Sequence, residues 1–124
     1  LEEGLANCEP NKRLGDIGHA IQSYVEKRGF SIVREYCGHG IGRNFPEDPQ
    51  LLHYGIADTG RRLQPGMVFT LEPMVNEGAP DTRVLDDKWT AVTVDGKLSA
   101  QYEHTVAITR DGPDVLSRFE DLPY

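Results

Sequence analysis

Cationic residues are scarce in this chain, and long apolar runs are absent. The chain has 13 Lys and Arg residues and 20 Asp and Glu residues, which gives a net charge of −7. That balance disfavours nucleic acid and anionic membrane surfaces, because both are bound through clustered Lys and Arg. No run approaches the roughly 18 apolar residues that cross a bilayer. The acidic start at residues 1–3 also lacks the basic region of a signal peptide. These absences predict a cytosolic protein that binds neither nucleic acid nor membranes.

The chain has only two cysteines, Cys8 and Cys37. They could form a single bridge, but a chain without an export signal more often keeps its thiols reduced. Cys37 lies two residues before His39, yet no second cysteine stands at zinc-finger spacing. We therefore interpret Cys37 as a buried free thiol and not as a metal ligand.

The 124 residues are enough for one domain at most. The sequence begins at Leu1 without an initiator methionine, and its first segment reads as the middle of a longer chain. A fragment, a processed product and a natural truncation would all begin in this way.

Two helical segments are predicted to precede several short strands. Residues 1–9 have helical composition, and residues 14–28 have apolar side chains three and four apart, with Gly29 as a stop. β-Branched and alternating residues predict strands at 31–34, 67–72, 82–85, 90–94 and 99–109. Residues 36–49 and 76–80 are predicted loops, with a hairpin turn at 95–96 and a further turn at 111–113. This order predicts an α+β fold in which two helices pack on a mostly antiparallel sheet.

Three polar side chains, one histidine and two glutamates, are unusual for the glycine-rich or apolar sequence around them. His39 lies between Gly38 and Gly40, which let a bound group approach the backbone closely. Glu72 ends an apolar strand, and Glu103 lies inside the last predicted strand. A carboxylate in a half-buried strand is costly unless positive charge neutralises it. Each residue has an ordinary alternative, a salt-bridged or rim-exposed glutamate or a structural histidine, but the set of three favours a metal.

Two carboxylates and one imidazole suit Mn, Fe, Co or Zn. Because carboxylates can bridge, such a set fits a hydrolytic centre with two ions about 3.5–4 Å apart. Three ligands are too few for two ions, so further ligands must come from elsewhere.

Three segments resemble the C-terminal motifs of type I methionine aminopeptidases. They are YCGHGIG at 36–42, PGMVFTLEPMVN at 65–76 and SAQYEHT at 99–105. The resemblance extends from about residue 14 to about residue 116, and the spacings between motifs also fit. It implies that residues 1–124 are the C-terminal half of a pita-bread catalytic domain whose N-terminal half is absent.

The resemblance also implies roles for five residues. His39, Glu72 and Glu103 would be metal ligands, with Glu103 bridging two divalent ions (Co, Mn, Fe or Zn). His39 and Glu72 would be the catalytic residues, with Glu72 carrying the proton from water to the departing amine. Phe45 and Trp89 would line the methionine pocket, for which core packing is the alternative. The implied reaction releases N-terminal methionine from newly made polypeptides, so the implied partner is a peptide or nascent-chain N-terminus.

The sequence departs from the family pattern in two respects. The family's remaining ligands are two aspartates that lie, with a catalytic histidine, upstream of this segment. Asp16, Asp58 and Asp95 lie in no matching motif, so a missing half or a companion chain would have to supply them. Pro46 occupies the position of a histidine that contacts substrate, and losing one such donor typically costs about 10²–10³ in rate. We expect the 124 residues alone to bind metal weakly and to have no useful activity.

Two other functions remain open. Pro46 would suit a non-catalytic pita-bread protein that binds a partner, although retention of all three local ligands argues against it. A prolidase-like dipeptidase shares the Glu-Pro pair, but the segment at 99–105 disfavours it. We also expect an exposed apolar face where a missing half would pack, and hence dimerisation or poor solubility.

Overall fold

The computed structural model describes residues 1–118, which form two helices and ten strands. The helices are α1 (Glu2–Leu5) and α2 (Leu14–Glu26). The first five strands are β1 (Ser31–Ile32), β2 (Gly38–Gly40), β3 (Glu47–Leu51), β4 (Val68–Leu71) and β5 (Met74–Asn76). The others are β6 (Thr82–Val84), β7 (Ala91–Thr93), β8 (Ser99–Gln101), β9 (His104–Thr109) and β10 (Gly112–Val115).

Helix α2 forms where the apolar spacing predicted it. Ile17, Ile21 and Val25 are buried on one face. The Asp16 carboxylate accepts the Arg13 N–H at 2.7 Å and stabilises the first turn. Gly29 has φ +81°, a left-handed conformation that ends the helix at little steric cost. The predicted helix is therefore confirmed to within two residues of its end. By contrast, the helical composition of residues 1–9 gives only the short α1.

A five-stranded antiparallel sheet with the order β10-β9-β4-β2-β3 forms the centre of the molecule. Strand β4 lies in the middle, and Phe69 and Leu71 on it are fully buried. The helices cover this face, because a Cβ on Gly4 of α1 would meet Ile21 of α2 and Leu71 of β4. The core therefore lies between the two helices and one face of this sheet.

On the strands of this sheet, several of the side chains that alternate with the buried apolar ones are polar. His39 on β2 pairs with Gln50 on β3, and Thr70 on β4 pairs with Thr105 on β9. Because side chains alternate between the two faces of a strand, Thr70 faces away from Phe69 and Leu71. The sheet thus has an apolar face toward the helices and a polar face opposite it.

The predicted loop at 36–49 is wrong. Gly38, His39 and Gly40 form β2, and β3 begins at Glu47. Glycine-rich sequence disfavours strands in general. Here the strand needs glycine, because a Cβ on Gly38 would collide with the Thr70 carbonyl and one on Gly40 with the Asp48 carbonyl.

The C-terminal strands also differ from the prediction. The predicted strand at 99–109 is two strands in different sheets, since β8 pairs with β5 and β9 pairs with β4. The turn at 95–96 therefore does not join paired strands, because β7 pairs with β6. Residues 74–76 form β5, which was not predicted, and residues 112–115 form β10 instead of a turn and tail.

All described strand pairs are antiparallel, and they form sheets of three, five and two strands. The predicted α+β class is confirmed. Within residues 1–118, no helix is long and apolar enough to cross a membrane.

Candidate metal centre

His39 and Glu72 converge on the polar side of the central sheet. His39 lies on β2, and Glu72 directly follows the neighbouring β4. The His39 Nε2 and Glu72 Oε1 atoms are 3.8 Å apart, and the two side chains are only 19% and 15% exposed. The structure therefore brings together two of the three predicted metal ligands in a largely desolvated place.

The hydrogen bonds of His39 decide which ring nitrogen is free. Its Nδ1 lies 3.0 Å from the Gly40 carbonyl oxygen. A carbonyl can only accept, so a hydrogen bond there places the proton on Nδ1. In the neutral ring Nε2 then carries the lone pair, and it is the nitrogen nearest Glu72. This tautomer presents a metal-binding atom on the carboxylate side.

Glu72 is a carboxylate that the protein only partly stabilises. Burial raises the pKa of Glu72, and the negative charge of Glu103 raises it further. The hydrogen bond from Thr70 and the charge of His39 act against that increase in the pKa. No lysine or arginine within residues 1–118 forms an ion pair with Glu72 or Glu103. The alternative of a salt bridge to lysine or arginine is therefore wrong within residues 1–118, whereas the exposure of Glu103 agrees with the alternative of a rim-exposed glutamate.

Glu103 lies close enough for its charge to affect Glu72 but is more open than predicted. It is exposed and lies between β8 and β9, so its assignment to a half-buried strand is wrong. The Gln101 amide donates to its Oε2 at 3.4 Å. No three His, Cys, Asp or Glu side chains of the described residues are grouped closely enough to hold a metal ion. His39 and Glu72 thus form a pair, with Glu103 at its edge.

A cavity of about 310 Å³ adjoins His39 on the β2–β3 hairpin. Its lining includes Cys37, Pro46 and Glu47. Phe45 is 85% exposed, and its ring meets the His39 ring edge-on, with centroids 4.9 Å apart. This volume is at the small end of the range for ligand pockets, about 300–1,000 Å³.

Trp89, the other predicted pocket residue, lies elsewhere in the fold. It occupies the turn between β6 and β7 and is 88% exposed. Its backbone N–H donates to the Asp87 carboxylate at 3.0 Å, which fixes the turn. Core packing, the alternative for both aromatic residues, does not apply to Trp89 or to the equally exposed Phe45.

The two cysteines differ in their surroundings. Cys8 is fully buried, and burial raises the pKa of its thiol to about 12. Cys37 is only half-buried, so its interpretation as a buried thiol is wrong. Burial, and after it the negative charge of Glu72, raise the pKa of the Cys37 thiol. Both are free thiols, as predicted.

Two residues beside Glu72 had no predicted role. The Thr70 hydroxyl lies 2.6 Å from Glu72 Oε1, and His53 Nε2 accepts the Glu72 N–H at 3.1 Å. Thr70 could have been found from its position two residues before Glu72, on the same face of a strand. His53 follows β3 and lies 19 residues before Glu72, so nothing in the local sequence connects the two.

The donor set of this site fits a divalent metal ion. The Nδ1 contact of His39 leaves its Nε2 facing the largely buried Glu72 carboxylate, which has no lysine or arginine partner in residues 1–118. Such nitrogen and oxygen donors suit Zn, Mn, Fe or Co. A cation between them would offset the negative charges of Glu72 and Glu103.

Comparison with known proteins places the chain in a class of metal-dependent enzymes. The sequence profile described as metallopeptidase family M24 matches residues 1–110. The chain belongs to metallopeptidase family M24.

Within that family, its sequence is similar to methionine aminopeptidases. It is 56% identical over 117 residues to methionine aminopeptidase A of Synechocystis, covering 94% of this chain and 46% of that protein. It is 55% identical over 118 residues to methionine aminopeptidase 1 of Bacillus subtilis, covering 95% of this chain and 48% of that protein.

The fold agrees with this similarity. The crystal structure of methionine aminopeptidase from Thermotoga maritima superimposes with a TM-score of 0.93 at 47% identity, covering 96% of this chain and 48% of that one. The predicted resemblance and the predicted pita-bread architecture are confirmed. The chain spans just under half the length of these relatives.

Proposed function

We propose that this chain supplies part of a metal-dependent site that releases N-terminal methionine from newly made polypeptides in the cytosol. His39, Glu72 and Glu103 would be three of five ligands to two divalent ions. The approach of His39 Nε2 to Glu72 Oε1 at 3.8 Å, with no lysine or arginine of residues 1–118 paired to Glu72, is the observation that carries this proposal. The relatives at 55–56% identity, which are named methionine aminopeptidases, give the reaction class.

The surroundings of each residue suggest its role in the proposed reaction. Divalent ions at such a site activate water and polarise a peptide carbonyl. Glu72, whose pKa is raised by burial, would take a proton from the attacking water and deliver it to the departing amine. His39 holds its free Nε2 toward Glu72 because Nδ1 is engaged with Gly40. Glu103 is the more exposed carboxylate and would be the third ligand.

The aromatic rings support a proposal for substrate specificity. Phe45 contacts the His39 ring and would cover the methionine side chain. Trp89 lies on the exposed β6–β7 turn, and its place in the methionine pocket is implied by the resemblance. The remaining ligands would come from outside this chain, either from an N-terminal half or from a companion chain, because three donors cannot hold two ions.

Metal binding and turnover of the full-length gene product test this proposal. We expect Mn²⁺ or Co²⁺ to support release of methionine from a Met-Gly peptide. Glu72→Gln should abolish turnover, and His39→Ala and Glu103→Gln should weaken metal binding at least tenfold. Glu9→Gln, at an exposed carboxylate between α1 and α2, is the matched control and should change neither. Full turnover by Glu72→Gln would contradict the assignment.

Pro46 supports one alternative, a protein that has lost catalysis and binds a partner. It lines the cavity beside His39, where the resemblance leads us to expect a histidine donor. We expect a slow enzyme and predict that Pro46→His raises kcat by about 10²-fold, the usual value of one such donor. If neither the wild-type protein nor the Pro46→His variant binds metal or shows turnover, the alternative of a non-catalytic binding protein is favoured.

A further inference from the structure

Two buried polar side chains hold Glu72 from opposite ends. Within residues 1–118 only His53, Thr70 and Asn76 are buried polar side chains. A buried polar group is costly unless it is hydrogen-bonded, so its partner indicates its role. Thr70 bonds to the Glu72 carboxylate, and His53 bonds to the Glu72 backbone. Two of the three buried polar side chains thus bond to one residue.

The Thr70 hydroxyl joins both members of the proposed metal pair. It has one proton and faces two acceptors, Glu72 Oε1 at 2.6 Å and the His39 carbonyl at 3.5 Å. The shorter contact takes the proton, because hydrogen bonds weaken beyond about 3 Å. Its oxygen then accepts the His39 N–H at 2.9 Å. One hydroxyl therefore fixes the Glu72 carboxylate relative to the backbone of His39.

The His53 ring fixes the Glu72 main chain. Because the Glu72 N–H can only donate, His53 Nε2 must be the acceptor and must carry no proton. The loop that holds His53 is itself fixed against α2. Gly18 lets that loop approach the helix, since a Cβ there would collide with the Leu52 and Tyr54 carbonyls. The Gln22 side chain accepts the Gly55 N–H at 3.0 Å and closes the contact.

We propose that Thr70 and His53 are positioning residues. Thr70 holds the Glu72 carboxylate, and His53 holds the Glu72 main chain, in the position from which Glu72 would bind the metal ion. This inference rests on the proposed function, in which Glu72 is a metal ligand. Groups that orient ligands in this way typically contribute about 10–100-fold to metal affinity.

Hydrogen exchange and Mn²⁺ titration of the full-length gene product test the inference. Thr70→Val keeps the shape but removes the hydroxyl, whereas Thr70→Ser keeps it. We expect Thr70→Val to speed exchange of the His39 amide and to weaken Mn²⁺ binding about 10–100-fold, with Thr70→Ser within about threefold of wild type. His53→Phe should speed exchange of the Glu72 amide and weaken binding similarly. His53→Gln should restore both, because its amide oxygen can replace Nε2.

The controls separate positioning from loss of stability. Ile108→Val shortens a buried side chain of β9 in the same sheet and mildly destabilises the fold. It should leave Mn²⁺ affinity unchanged. Wild-type affinity or wild-type amide exchange in Thr70→Val and His53→Phe would overturn the inference while leaving the proposed function intact. Failure of the wild-type protein to bind Mn²⁺ would overturn the proposed function, and this inference with it.

Discussion

Acid should destabilise this protein through His53 before most carboxylates are protonated. The side chain is 2% exposed, and burial lowers its pKa from the ordinary 6.5 to about 4. The unfolded chain therefore takes up this proton at higher pH than the folded one. The contribution to stability is complete above about pH 6.5 and is lost as the pH falls toward 4. Protonation of Nε2 also removes the acceptor for the Glu72 N–H.

The size of this effect follows from the two pKa values. With 6.5 unfolded and about 4 folded, proton linkage removes about 2 kcal/mol between pH 7.5 and pH 5. The loss reaches about 3 kcal/mol at pH 4. Native domains are stable by about 5–15 kcal/mol, so this loss is a large fraction of the total.

Urea unfolding of the full-length gene product at several pH values measures the effect. His53→Gln has no group that titrates in this range but keeps an acceptor for the Glu72 N–H. The carboxylates titrate in both proteins, so their effect cancels in the difference between wild type and variant. We expect wild type to lose about 2 kcal/mol more than His53→Gln between pH 7.5 and pH 5. Parallel pH dependence of the two proteins would refute the assignment of a buried, neutral His53.

The remaining predictions concern the core, the proposed methionine pocket, the thiols and the glycine-flanked histidine. Phe69→Ala should destabilise the protein by about 3–5 kcal/mol because Phe69 is fully buried, as measured by chemical unfolding. Phe45→Ala, at an 85% exposed position, should leave the unfolding midpoint unchanged and raise KM for a Met-Gly peptide. A disulfide reagent at pH 8 should modify Cys37 slowly and Cys8 only after unfolding, because burial raises the pKa of Cys8 to about 12; fast labelling of Cys8 would contradict its burial. Gly40→Ala should lower both the unfolding temperature and the Mn²⁺ affinity, since the added Cβ collides with the Asp48 carbonyl of the paired strand; an unchanged affinity would contradict the proposed site.

Local patterns predicted the parts of the fold that depend on a single segment. The spacing of Ile17, Ile21 and Val25 predicted α2, because one helical face must be apolar to pack on the sheet. Pairing between distant segments was not predictable in the same way. Residues 99–109 have continuous strand propensity, but β8 pairs with β5 and β9 with β4. The break at Tyr102 and Glu103 results from that choice of partners.

The sequence determined which residues could bind a metal, because imidazole and carboxylate groups in apolar surroundings need a positive partner. It therefore predicted His39, Glu72 and Glu103 as ligands and, through its motifs, indicated the family. Only the tertiary structure decided that β2 and β4 lie side by side, so that His39 and Glu72 meet while Glu103 remains more open. Tertiary structure alone also brought His53 to the Glu72 backbone, because hydrogen bonds between distant segments depend on how strands and loops pack and not on local propensity.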